Sequence, residues 1–207
     1  MLKAQVEEAI KHWREPDRGI WEVRGEPQHF MSSKVACWVA LDRGTKLAAR
    51  QGETAYAQKW RAIADEIKAD ILKHGVNSDG VFTQSYGSDA LDASLLLVVL
   101  NRFLPPDDPR VRATVLAIAD HLTEQGLVLR YRVEETDDGL TGEEGTFTIC
   151  SFWLVSALVE IGESAEPSIC VSGCCRSPAR CISTPRSSSH VPAGTWATSR
   201  RRSPTWR

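Results

Sequence analysis

The chain has 207 residues, of which 42% are hydrophobic and 25% are charged, and its formal net charge is −2. This composition suits one globular domain with a sizeable core. No apolar run is long enough to span a membrane and residues 1–5 do not begin a signal peptide, so we expect a cytoplasmic protein without a membrane partner.

Residues 1–163 carry the apolar periodicity of helices separated by long loops. The pattern predicts helices over residues 33–50, 53–74, 89–104, 108–124 and 147–161. Ser33 is the predicted cap of the first helix, and Asp108 with Pro109 begins the fourth. The third is apolar nearly all round, which indicates a helix buried on most sides. Since neither strand alternation nor an internal repeat is visible, the sequence predicts an all-α fold.

The loop before the first of these helices contains the strongest candidate for chemistry. Glu22 directly follows Trp21 in a stretch held by Pro16, Gly19 and Gly25. A carboxylic acid packed against an aromatic ring loses hydration, which raises its pKa, and a protonated carboxyl beside an apolar face suits protonation of a glycosidic oxygen. From the residues alone, the more common arrangement is an exposed acid beside a core aromatic.

A series of motifs in a fixed order extends this observation. The motifs are residues 16–25 (PDRGIWEVRG), 29–34 (HFMSSK), 38–43 (WVALDR), 84–88 (QSYGS), 91–94 (LDAS), 143–147 (EEGTF) and 151–154 (SFWL). Over roughly residues 10–163 the chain resembles glycoside hydrolase family 15, which contains the glucoamylases and the bacterial trehalases and glucodextranases. The resemblance implies the C-terminal part of an (α/α)6 toroid, a partial ring without the N-terminal β-sandwich and first half of the barrel that a bacterial member normally has.

The resemblance also implies a reaction and a substrate. Family members hydrolyse α-glucosidic bonds with inversion, using one carboxylic acid to protonate the leaving oxygen and a second carboxylate, about 6.5–9.5 Å away, to activate water. By motif Glu22 is the acid, and the implied activity releases glucose from an α-glucoside without a cofactor or a metal ion. The base belongs to a motif that this chain lacks, so we predict an inactive fragment; a non-catalytic carbohydrate-binding fragment is the alternative.

Three residues near the acid are candidates for substrate binding, each with a plainer alternative. Trp21 is a platform for a sugar ring or a part of the core. Arg24 donates hydrogen bonds to sugar hydroxyls or pairs with an acid such as Glu26 or Asp17. The motif places Lys34 at the rim of the ring, whereas a lysine one residue into a helix is ordinarily a surface charge.

Acidic residues later in the chain provide further candidates. Glu143 and Glu144 lie between two glycines, and the motif favours a substrate-binding loop there. The alternative is a pair of acids stabilised by the dipole of the helix that follows. Asp89 and Asp92 are expected to cap or line the start of an inner helix of the ring.

Residues 164–207 form a separate segment without helical periodicity. The segment is rich in Ser, Arg and Pro, and it contains seven arginines, one acidic residue and four of the six cysteines. The cysteine spacing, C-x3-C-C-x5-C, matches no standard zinc site. Its composition predicts disorder, and its charge alone would suit a basic arm that binds nucleic acid.

A shifted reading frame explains this tail better and predicts no nucleic-acid partner. One allowed codon string for residues 196–206, read two bases in, encodes Gly-Asn-Phe-Pro-Gln-Ala-Phe-Thr-His-Leu, which resembles the closing motif of the same family. Residues 170–195 can likewise be encoded so that the other frame contains Leu-Tyr-Ala-Glu-Glu, whose first glutamate would be the missing base. We therefore expect a frameshift near Pro167.

An incomplete ring also has consequences for folding. Without the missing helices, inner faces such as residues 95–100 would be exposed to water. We therefore expect aggregation or a molten state for the isolated chain.

Overall fold

The computed structural model describes residues 2–136 and 146–163. The described residues form the helices α1 (Leu2–His12), α2 (Met31–Arg50), α3 (Thr54–His74), α4 (Leu96–Leu100), α5 (Pro109–His121) and α6 (Thr148–Glu160). A 3₁₀ turn over Ala93–Leu95 leads into α4, and an antiparallel hairpin of β1 (Thr123–Glu124) and β2 (Leu127–Val128) follows α5. None of these helices combines the length and the apolar character needed to cross a membrane.

Short and long connections alternate along the chain. Residues 51–53 and 101–108 are short connections, whereas the long loops follow α1, α3 and α5 and lead into the 3₁₀ turn or the next helix. Backbone bridges connect these long loops, because Phe30 pairs with Ser85 and Asp92 pairs with Tyr131. The long loops therefore meet at one end of the helices, which we call the loop rim, and the amino ends of α2, α4 and α6 lie there.

The core is centred on the packing of α2 against α3. Trp60, Ile67 and Ile71 of α3 are almost completely buried, and each buried side chain of this size contributes about 1.5–3 kcal/mol relative to exposure. Gly44 of α2 permits the close approach of α1, because a Cβ at this position would lie 2.8 Å from a methyl carbon of Val6. A larger residue at Gly44 would push these helices apart.

The helices predicted over residues 53–74 and 147–161 are confirmed by α3 and α6. The helix predicted over residues 33–50 corresponds to α2, but Ser33 is not its cap. α2 begins at Met31 after an extended Phe30, which provides no side-chain cap. The hydroxyl of Ser33 donates a hydrogen bond to the carboxylate of Asp17 instead, at 2.7 Å.

The helix predicted over residues 89–104 is wrong at both ends. The backbone of Asp92 is extended and pairs with that of Tyr131, so helical structure begins only at Ala93. Arg102 adopts a left-handed φ of 59° and stops the helix before the prolines. Pairing between loops therefore overrides the apolar pattern in this stretch.

Residues 95–100 do not form the exposed inner face that the sequence predicts. Leu95, Leu96, Val98 and Val99 are all buried in the described structure. The reason is that α4 packs against α2, α5 and α6, which together cover it.

α5 begins at Asp108 and Pro109 as predicted, but it ends at His121 rather than at residue 124. The carboxylate of Asp108 caps the helix by accepting a hydrogen bond from the backbone N–H of Arg110, at 3.0 Å. After α5 the chain reverses through Gln125 and Gly126, which both have positive φ, to form the hairpin that the sequence analysis missed.

The substitution Asp108→Ala is expected to lower the free energy of unfolding by about 1 kcal/mol, because it removes the cap of α5. The guanidinium of Arg110 also loses its partner, which lies 2.7 Å away. Urea unfolding followed by circular dichroism would measure the change. The matched control is Asp107→Ala at the exposed neighbouring position, and equal losses in the two variants would contradict the capping role.

Candidate active site

Hydrogen bonds within the chain hold the loop between α1 and α2 in shape. Asp17 pairs with Gln28 across the base of the loop, with both backbone N–H···O distances at 2.8 Å. The guanidinium of Arg18 donates to the carbonyl oxygens of Val23, at 3.1 Å, and Gly25, at 2.6 Å. We call residues 17–28 the acid loop. Hydrogen bonds from within the loop fix its backbone conformation.

Glu22 lies at the tip of the acid loop with its side chain exposed to solvent. Its backbone adopts a left-handed φ of 52°, an uncommon conformation for a residue other than glycine and one that is enriched at functional sites. On its two sides, Trp21 is half-buried and Val23 is buried. The turn therefore packs Trp21 and Val23 against the protein and leaves the carboxylate of Glu22 in solvent. Glu22 is thus exposed beside a half-buried Trp21, which is the arrangement that the residues alone favoured over an acid desolvated against the ring.

The indole of Trp21 is fixed by a buried carboxylate from another loop. Its Nε1–H donates a hydrogen bond to Asp92 Oδ2 at 2.8 Å. The hydroxyl of Ser94 donates to the other carboxylate oxygen, Asp92 Oδ1, at 2.6 Å. Since Asp92 is only 1% exposed and its backbone pairs with Tyr131, it connects the acid loop to two other loops at the rim.

The environment of Asp92 has a strong effect on its ionisation. Burial raises the pKa of this carboxyl to about 6, while the hydrogen bonds from Ser94 and Trp21 act in the opposite direction. Desolvation is the larger influence because the ionised form loses its hydration completely at this position. A titratable group with a raised pKa therefore accepts a hydrogen bond from Trp21, the residue that precedes Glu22 in the sequence.

Two further aromatic rings lie near the indole of Trp21. The ring of Phe147 meets Trp21 edge-on at 6.2 Å between centroids, and the ring of Trp153 lies tilted at 6.3 Å. The guanidinium of Arg130 lies 5.7 Å from the Trp21 ring centroid. We call Trp21, Phe147 and Trp153 the aromatic cradle. Such a surface with a neighbouring cation suits a polyhydroxylated ring, which has both apolar faces and hydrogen-bonding edges.

The structure places the other predicted binding residues differently. Arg24 is exposed on the acid loop, and within the described part of the chain it pairs with neither Glu26 nor Asp17. Lys34 lies at the loop rim, where the motif placed it, but it is buried, so it is not the surface charge of the plainer alternative. Its ammonium donates to the backbone carbonyl of Glu15 at 2.9 Å and to that of the nearby Trp13.

Lys34 therefore stabilises the chain between α1 and the acid loop. Burial is the main influence on this ammonium and lowers its pKa, whereas Asp17 and other nearby acids act in the opposite direction. A contact between Lys34 and substrate stays a prediction, as does one between Arg24 and substrate.

Two parts of the sequence-based site lie outside the described residues. Glu143 and Glu144 belong to residues 137–145, and the tail belongs to residues 164–207. Within the described part of the chain, no group of three or more His, Cys, Asp or Glu side chains is arranged to hold a metal ion.

The sequence analysis did not predict that three residues lie close to Trp21. Phe147 and Trp153 lie within quoted motifs, yet nothing in a single sequence shows that they converge on Trp21. Asp92 was expected at a helix start, and its link to Trp21 spans 71 positions of the chain. Contacts of this range depend on loop pairing, which helical periodicity does not predict.

A mainly helical domain that presents an exposed acid next to Trp21 of the aromatic cradle, at the loop rim, has the features expected of a carbohydrate-active protein. The model of the Glycosyl hydrolases family 15 matches residues 2–170, and the chain belongs to this family. The family predicted from the motifs is thereby confirmed.

Curated relatives support the same assignment. The chain is 87% identical over 163 residues to a trehalase from Mycobacterium tuberculosis, covering 79% of this chain and 24% of that relative. It is 41% identical over 149 residues to a trehalase from Thermoplasma acidophilum, covering 71% of this chain and 25% of the relative. The chain thus spans about a quarter of the length of these relatives.

Solved structures confirm the fold. A wild-type glycosidase and a variant of it in complex with glucose both match with a TM-score of 0.66 and 26% sequence identity. Each match covers 77% of this chain and 41% of the solved chain. The all-α, partial toroid predicted from the sequence agrees with these matches.

Proposed function

We propose that the chain is part of an inverting α-glucoside hydrolase of the trehalase type, and that it does not turn over substrate in its present form. The observation that carries this proposal is the presentation of Glu22 on a fixed loop beside the aromatic cradle. Two relatives that are 87% and 82% identical are trehalases, which supports trehalose as the substrate of the complete enzyme.

In the proposed reaction, Glu22 transfers its proton to the glycosidic oxygen as the bond from that oxygen to the anomeric carbon breaks. A glucose ring lies against the aromatic cradle, with Arg24 and Arg130 near its hydroxyl groups. Water attacks the anomeric carbon from the opposite face, and a second carboxylate takes the proton that water loses. Asp92 contributes indirectly, because its hydrogen bond from Trp21 holds the indole that forms one wall of the site.

The proposed lack of turnover follows from the second carboxylate. Residues 173–186 occupy the place of the motif that would supply it, and they contain no Asp or Glu. The family model ends its match at residue 170, close to the proposed frameshift near Pro167, and this supports the out-of-frame origin of the tail. Sequencing the gene across the codons for residues 155–207 would test that origin directly.

A matched pair of proteins tests the catalytic proposal. The purified 207-residue chain is expected to release no glucose from trehalose or maltose. A chimaera in which residues 2–163 replace the matching quarter of the Mycobacterium tuberculosis trehalase is expected to be active, because the rest of the enzyme supplies the base. Hydrolysis by the 207-residue chain alone, lost on Glu22→Gln, would overturn the proposed inactivity.

A second candidate function is carbohydrate binding without catalysis. The aromatic cradle supports it, because the three rings come together without the missing base. Titration of the chain with trehalose, followed by tryptophan fluorescence, separates the two cases. Saturable binding without glucose release, weakened by Trp153→Ala, would favour the binding function.

A further inference from the structure

A cavity of about 400 Å³ lies between the carboxyl ends of α1 and α3 and the first turn of α2. It is lined by Trp13 and Arg14 after α1, by Lys34 of α2 and by Asp70 of α3, among others. None of its described lining residues belongs to the aromatic cradle, and Glu22 is not among them. This cavity, which we call the side cavity, is therefore separate from the proposed active site. Its volume lies within the range of small-molecule binding sites.

The charged side chains of the side cavity are already bonded within the chain. The guanidinium of Arg14 pairs with the carboxylate of Glu66. The hydroxyl of Tyr86 donates a hydrogen bond to Asp70 Oδ2 at 2.9 Å, and the ammonium of Lys34 donates to two backbone carbonyls. Since these two cations and two carboxylates balance, the described lining residues favour neither an anion nor a cation as the ligand.

Two uncharged groups of the side cavity, in contrast, have no hydrogen-bond partner among the described residues. They are the indole Nε1–H of Trp13 and the ring nitrogen Nδ1 of His29, and solvent reaches neither atom. Trp13 is only 5% exposed, and a buried donor without an acceptor destabilises a protein, so such a group calls for an explanation. The guanidinium of Arg14 lies over the Trp13 ring, 4.2 Å from its centroid. Because the side chain of Arg14 is more than half exposed, it can move and open the indole to a ligand.

We propose that the side cavity binds a small neutral polyhydroxylated molecule, a monosaccharide or a cyclic polyol. One hydroxyl oxygen of the ligand accepts the hydrogen bond of the Trp13 indole. A second hydroxyl bonds to Nδ1 of His29 and suits either tautomer of the ring, because a hydroxyl both donates and accepts. The carboxylates of Asp70 and Glu66 have further lone pairs, which accept hydrogen bonds from the remaining hydroxyls. A neutral ligand leaves the ion pairs of the cavity in balance.

The experiment follows the indole N–H signals of the full 207-residue chain by nuclear magnetic resonance, with isotope-labelled nitrogen in its seven tryptophans. The cross-peak that Trp13→Phe removes is the cross-peak of Trp13. We expect it to move progressively and saturably as glucose or myo-inositol is added, because the N–H gains an acceptor. Tighter binding of glucose identifies a sugar site, and tighter binding of myo-inositol identifies a site for a cyclic polyol.

A matched pair of variants tests the contact with His29. His29→Phe keeps a ring that can stack on Tyr86 and removes the nitrogen that a hydroxyl would bond, so binding should weaken by about fivefold. His12→Phe changes an exposed histidine of α1 that does not line the cavity, and it is expected to leave the affinity unchanged. An unmoved cross-peak of the buried Trp60 would show that His29→Phe keeps the fold.

Several results would overturn the proposal. One is a Trp13 cross-peak that stays in place up to the solubility limit of both ligands, and movement of the Trp21 cross-peak alone would place the sugar in the aromatic cradle instead. Tighter binding of inorganic phosphate would indicate an anion site, and equal affinities for His29→Phe and the parent would contradict the role of His29. The chimaera keeps every residue of the side cavity, so the same titration on it replaces the measurement if the short chain aggregates. The inference does not depend on the proposed reaction, and an inactive chimaera would leave it intact.

Discussion

Replacing Glu22 with glutamine in the active chimaera is expected to lower kcat by about 10²–10⁴-fold, because an amide cannot donate the proton that the leaving oxygen needs. Glutamine keeps the length of the side chain, and the hydrogen bonds that fix the acid loop come from Asp17 and Arg18 rather than from Glu22. The loss should therefore appear in kcat, while KM stays close to the parent value. Initial rates of glucose release from trehalose provide the measurement.

A control from the same loop makes this result specific. Glu26 is also an exposed acid of the acid loop, so Glu26→Gln removes the same charge without removing the proposed proton donor. We expect that variant to retain the rate of the parent chimaera. If Glu22→Gln retained it as well, the acid of the reaction would have to be another residue.

The acid loop illustrates what could be predicted from sequence and what could not. The motif around Trp21 and Glu22 predicted the family, which the comparisons confirm, and made Glu22 the proposed acid, because both inferences depend only on residue identity and local spacing. An exposed acid was the more common expectation from the residues, whereas the left-handed backbone of Glu22 was not predicted. The burial of Lys34 was not predicted either, because its partners are backbone carbonyls, which leave no trace in a sequence.

The helices show the same division. α3 follows from the apolar stripe that contains Trp60, Ile67 and Ile71, and Gly75 ends it as expected. The predicted helix over residues 89–104 failed because the pairing of Asp92 with Tyr131 joins segments that are distant in the chain. The spacing of apolar residues shows which face of a segment packs on the core. It therefore predicts helices well and contacts between distant loops poorly.

Asp92 leads to the second large expected effect, which concerns stability and pH. Its pKa is raised from 3.8 to about 6 in the folded chain, so the folded state favours the protonated carboxyl. This contribution to stability is complete below pH 4 and is lost as the pH rises through 6. This rise in the pKa of Asp92 corresponds to about 3 kcal/mol of unfolding free energy.

The variant Asp92→Asn is expected to remove this pH dependence. Its side-chain carbonyl can accept the hydrogen bond from Trp21, and its amide can donate to the hydroxyl of Ser94, so these two contacts survive without an ionisable group. The free energy of unfolding of the parent chain should fall by up to about 3 kcal/mol between pH 4 and pH 7.5 relative to that of the variant. Urea unfolding followed by tryptophan fluorescence across this range would measure the difference.

The exposed Asp89, three positions earlier, is the matched control, and Asp89→Asn should unfold with the pH dependence of the parent chain. Parallel curves for the parent and Asp92→Asn would show that Asp92 titrates as an ordinary carboxyl and would contradict its desolvation. The expected result has a functional meaning as well. At neutral pH the chain keeps an ionised carboxylate in its interior at a cost in stability, and that carboxylate accepts the hydrogen bond that holds Trp21 beside the acid. Selection for stability alone would favour asparagine at this position, so we infer that the ionised form serves the proposed site.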